Sequence, residues 1–148
     1  MSATPADAQV VLQLFELRRE EEMRKARNWY AMEFNPTSAD DVMNTVLDMK
    51  SDANRYFRMV TSYWEMAATL ALSGSVNEQL FLDTQNEMFF IMAKLHPYLE
   101  GVREKMQNPE AMKKCETLIN KSDASKKKLE AFKVRLERFR AMAAAAKK

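Results

Sequence analysis

The sequence predicts an all-α protein: one domain over residues 1–148, an up-and-down helical bundle of about five helices with a long C-terminal helix. Three observations carry that reading. Two glycines and four prolines in 148 residues leave few tight turns, while Ala, Leu, Met, Glu, Lys and Arg, all helix formers, dominate. Hydrophobic residues at 47% can build a core and charged residues at 30% can cover it. The stretch Tyr56–Ser73, YFRMVTSYWEMAATLALS, carries a single charge, Glu65, from Met59 onward. A helix apolar around most of its circumference is covered on several sides, so this segment is the expected centre of the bundle.

The first predicted helix opens at Thr4-Pro5, a cap followed by proline at the first helical position. Leu12, Phe15, Arg19, Met23, Ala26, Tyr30 and Phe34 then recur every three or four residues, one helical face reaching about Phe34. Arg19 lies inside this apolar stripe. Arg18 and Glu22 have the spacing of a surface pair, and a solvated Arg is the simpler reading. The sharper one is a buried Arg19 held by Glu65 or Glu87 from another helix. Asn35-Pro36-Thr37 is a turn, because the residue before proline avoids the helical region.

A short second helix follows Ser38, with Val42, Met43, Val46 and Leu47 inward. The third runs from a cap at Ser51 or Asp52 to Ser73 and stops at Gly74. The fourth opens at Ser75 or Asn77, its apolar pattern interrupted by Asp83, Thr84 and Glu87. His96-Pro97 ends or kinks it, and Leu99, Val102 and Met106 continue a turn or two beyond. Asn108-Pro109 marks the start of the fifth. Its seam, Cys115, Leu118, Ser122, Ser125, Leu129, Phe132, Leu136, Phe139 and Ala143, alternates 3-4 without a slip. Unbroken, this helix would be about 57 Å long at 1.5 Å per residue, against a radius of gyration of about 15 Å for a compact chain of this size. It therefore breaks within 120–125, protrudes, or packs on a second chain.

At LRREEEMRKARNWY (17–30) and SYWEMAATLALSG…MFFIMAKLHPYLEGVRE (62–104) the chain resembles a group of small helical bacterial proteins of unassigned function. The resemblance implies an all-helical fold and a bacterial source, and it carries over no catalytic residue.

Several chemistries are excluded. One cysteine, Cys115, allows neither an internal disulfide nor a Cys-based zinc site. A bundle di-iron site needs two Glu-x-x-His pairs, and the chain has one histidine, His96, next to proline. Gly74 and Gly101 alone cannot build a glycine-rich phosphate loop. No apolar run reaches the length of a membrane span, and MSATPADAQVV lacks the plan of a signal peptide, so the cytoplasm is the expected location. No metal, no cofactor and no enzymatic activity are expected.

Three functional readings remain. The first is a non-enzymatic interaction or scaffold module, with Leu129, Phe132, Leu136 and Phe139 as an interface for a second copy or another protein. The second is a small hydrophobic-ligand pocket between the first, third and fourth predicted helices. It would be lined by Met59, Tyr63, Trp64, Met88 and Met92, with Arg19, Glu65 and Glu87 as its polar centre. Twelve methionines suit either a plastic core or such a pocket. The third is weak nucleic-acid binding. Residues 113–148 carry 12 Lys and Arg against 4 Asp and Glu, whereas residues 1–112 carry 11 against 17. Glu130 and Glu137 interleave with the basic residues, so a solvated helix flank is preferred and nucleic acid is not expected.

Overall fold

Interruptions set this architecture. The computed structural model describes residues 1–147 and is all-helical among them. The elements are α1 (Pro5–Arg18), α2 (Glu21–Met32), α3 (Ala39–Leu47), α4 (Asp52–Leu72), α5 (Glu78–Thr84), α6 (Asn86–Leu95), a 3₁₀ turn (His96–Tyr98), α7 (Leu99–Met106), α8 (Lys113–Asn120) and α9 (Asp123–Ala146). About five helices were expected and nine α-helices are described, because three of the predicted helices are broken.

The first break falls at Arg19-Glu20. The Glu20 carboxylate accepts from the backbone N–H groups of Glu22 and Met23 at 3.1 and 3.0 Å, acting as the cap of α2. The break shifts the helical phase by one residue. Before it the buried positions are Val11, Leu14 and Arg18; after it they are Met23, Ala26 and Tyr30. The expected stripe is therefore right in α2 and one position late in α1, where Leu12 and Phe15 are exposed.

Helices α3 and α4 form where expected, but Leu47, expected inward, is 69% exposed because it is the last residue of α3, beyond the part of the helix that packs on the core. Ser38 and Ser51 each accept from the N–H three residues on. At the far end of α4, Gly74 has φ +80°. Its N–H reaches Ala71 O and that of Ser75 reaches Leu70 O, the paired bonds of a left-handed helix stop. Asn77 caps α5. Its own N–H donates to Asp7, which also closes a capping box with Thr4, so one carboxylate ties the starts of α1 and α5.

The fourth predicted helix breaks at Gln85 and again at His96-Pro97. The fifth starts at Lys113, not Pro109, because residues 109–112 form turns. It ends at Asn120 and resumes at Asp123, where Ser122 caps α9.

Helix α4 packs against α2 on one side and α8 on another, with α6 against α9 and α3 against α7. Trp64, Tyr30, Phe81, Phe89 and Met88 are fully buried. Lys94 is buried with them, 1% exposed. Its ammonium donates to Tyr30 O, Ala31 O and Phe34 O and to Asn35 Oδ1, thereby capping the C-terminus of α2. Burial holds its pKa down to about 8.

Candidate functional site

The expected polar centre does not assemble. Arg19 lies just past the end of α1, its side chain 77% exposed and paired, among the described residues, only with Glu16 at 3.7 Å. The phase shift puts Arg18 inside instead. Its guanidinium stacks on Phe15 and Trp64, and Nη1 lies 3.6 Å from Glu87. Glu87 takes a bidentate bond from Arg27, whose Nη2 is 2.6 Å away. Desolvation lowers the Arg18 pKa, while the Glu87 hydrogen bond raises that of Arg27. The cluster clamps α1, α2 and α6 together.

Glu65 works elsewhere. Its carboxylate reaches from α4 to the start of α8 and accepts from Lys114 N and Cys115 N at 3.1 and 2.9 Å. It does for α8 what a cap residue normally does, because Met112, in the cap position, has φ 53° and gives no side-chain bond. Burial, with Glu65 nearby, pushes the Cys115 thiol well up.

The expected pocket lining is core. Tyr63, Trp64, Met88 and Met92 are buried and Met59 packs against them, so the space between these helices is filled. The Tyr63 hydroxyl donates to Leu14 O, and burial raises its pKa to about 12. An open trough of about 970 Å³ lies on the other side of α4. Its lining comes mainly from α3, α4 and α7, with Leu95 of α6 and residues 110–112 of the turn before α8. Neither Arg19 nor Glu87 reaches it, and Glu65 only borders it.

The seam of α9 divides in two. Leu129 is buried, and Phe132 stacks on Phe89 at 6.0 Å with Arg135 over its outer face. Leu136 is half-buried against the core. Beyond Leu136 every described residue of α9 except Arg140 is exposed, including Phe139 at 66% and Met142 at 64%.

Several cations of α9 serve the fold. Lys128 donates to Leu82 O and sits over the Phe89 ring. Lys133 meets His96 Nδ1 at 2.8 Å and Glu130 at 3.0 Å. Burial first, then the Lys133 charge, lowers the His96 pKa. No helix of the described chain is long and apolar enough to cross a membrane.

These features define a small all-helical protein whose buried charges fasten helix ends to one another. The chain belongs to a family described as a domain of unknown function (DUF4760), whose model matches residues 3–122. No curated protein and no solved structure matches it. The family match runs through α8 and stops at Ser122, the residue that caps α9.

Proposed function

We propose that this chain is a cytoplasmic, bacterial, non-enzymatic interaction module that pairs with a second copy of itself through the distal half of α9. The observation that carries the reading is the divided seam. Leu129, Phe132 and Leu136 bed α9 on the family core, and the same apolar line then continues into water at Phe139. Covering such a side chain contributes about 1.5–3 kcal/mol. Arg135 and Arg138 flank this end together with Glu137, so two antiparallel copies can oppose unlike charges about a two-fold axis. The nucleic-acid reading has less support, since Lys128 and Lys133 are engaged within the fold and Lys126 and Arg140 pair with Asp123 and Glu137.

Light scattering tests the proposal. The wild type is expected to show the mass of a dimer that dissociates on dilution. Phe139→Asp is expected to be monomeric with unchanged helical circular dichroism. A wild type that stays monomeric at millimolar concentration, or a Phe139→Asp dimer, overturns it.

A further inference from the structure

We propose that the trough between α3, α4 and α7 binds one unbranched fatty acid, with the acyl chain along its floor and the carboxylate on Arg58. The trough shares no residue with α9 and lies wholly within the family-matched residues.

A volume of about 970 Å³ is at the upper end of the roughly 300–1,000 Å³ of small-molecule sites. Val42, Leu95, Leu99 and Val102 line it and yet are at most 4% exposed. Neighbouring side chains close these four off from water, so they form the base of the trough beneath the surface that a guest touches. The acyl chain lies above them, along the accessible apolar wall of Phe57, Leu47 and Met49. Gly101 lets α7 approach α3 closely, since a Cβ there would lie 3.0 Å from the Ala39 Cβ.

The walls suit a flexible chain. Met43, Met49, Met106 and Met112 supply four of the twelve methionines, and unbranched thioethers adapt to an irregular guest. The mouth exposes large apolar side chains, Leu47 at 69% and Met49 at 74%. Met112, which lines the trough, holds the left-handed region with φ 53°, although it is not glycine. Backbone strain of this kind recurs at ligand clamps.

The charge balance selects the head group. Both oxygens of Glu65 are taken up by the amides of α8, whose positive end offsets its charge. Lys105 is paired with Asp40 at 3.0 Å, and Glu110 is an exposed rim residue. Arg58 is different. Its one side-chain hydrogen bond runs from Nε to Asn54 Oδ1 at 2.9 Å, and among the described residues no carboxylate pairs with it. Asn54 is 2% exposed and is itself pinned by bonds to Thr45 O and Val46 O. A fixed residue thus aims a guanidinium whose two Nη groups remain free, the fork that matches a carboxylate.

Calorimetric titration of the full chain with decanoate, 1-decanol and decyltrimethylammonium is the test. Saturable binding of one decanoate per chain is expected, with the ammonium much weaker. Arg58→Gln, an exposed position that does not put folding at risk, should weaken decanoate about 10- to 100-fold and leave 1-decanol unchanged. Val102→Trp should fill the floor and abolish both. Should that variant fail to fold, Met49→Glu at the exposed mouth should weaken decanoate and not the ammonium. The assignment is overturned if decanoate does not saturate, if Arg58→Gln affects acid and alcohol alike, or if a folded Val102→Trp binds as wild type. It is equally overturned if an amphipathic helical peptide fills the trough in preference to decanoate, or if Met49→Glu dissociates a dimer formed on this face.

Discussion

Glu87 stands between two guanidiniums, one of them almost fully buried. Its side chain is 18% exposed, and it faces Arg27 at 2.6 Å and Arg18 at 3.6 Å. Removing the shared partner of such a cluster leaves uncompensated charge in a poorly hydrated place, which costs about 3–5 kcal/mol. Glu87→Ala is therefore expected to lose about that much in urea denaturation. Arg19→Ala, one residue from Arg18 but in solvent, should stay within about 0.5 kcal/mol of wild type. Equal effects of the two would mean that the helical phase of α1 is wrong. The tandem Arg18-Arg19 made the choice between the two arginines a matter of one residue of phase, which sequence spacing could not settle. Lys94 drew no expectation, although it is the lone charge in the apolar run MFFIMAKL. Its partners lie about sixty residues away at the end of α2, which no local pattern reveals.

Elements with local start and stop signals were legible. Ser38 and Ser51 open α3 and α4, and Gly74 closes α4, each by chemistry within a few residues. The breaks at Arg19-Glu20 and Gln85 were not, because glutamate is an unusual cap and Gln85 gives no side-chain cap bond. Helix α8 was misplaced for a related reason: its cap comes from Glu65, some fifty residues earlier in the chain. The trough needs three helices in place before it exists, so no single pattern announced it.

Two helix stops make a matched pair. Gln107 has φ 52°, and Asn108 N bonds to Arg103 O, the same geometry that glycine provides at residue 74. Left-handed backbone costs an L-residue with a Cβ about 1–2 kcal/mol. Gln107→Gly should therefore raise stability by about 1 kcal/mol after the entropy of the added glycine is set against it. Gly74→Ala should lower stability by a similar amount, although a Cβ there would meet nothing within 4 Å. Chemical denaturation of both variants checks the pair, and changes of the same sign would contradict it.

At the scale of the whole molecule, the acidic body and the basic C-terminal part meet through a few specific contacts. Lys121 pairs with Glu78 at 2.5 Å, Lys128 reaches Leu82 O at 3.0 Å, and Phe132 lies on Phe89. Exposed pairs such as the first contribute little, so the apolar contact decides how firmly α9 is bedded. Phe132 is half-buried, and its truncation should cost about 2–3 kcal/mol, less than the 3–5 of a fully enclosed phenylalanine. In a chain of this length each kcal/mol moves the melting temperature by about 2–4 °C. Phe132→Ala is thus expected to melt about 4–12 °C below wild type while keeping the wild-type association state, since Phe139 is untouched. Phe139→Asp should show the opposite behaviour, a changed mass at an unchanged monomer melting temperature. A Phe132→Ala protein with the wild-type melting point would mean that α9 is not seated on Phe89, and the divided seam would lose its buried half.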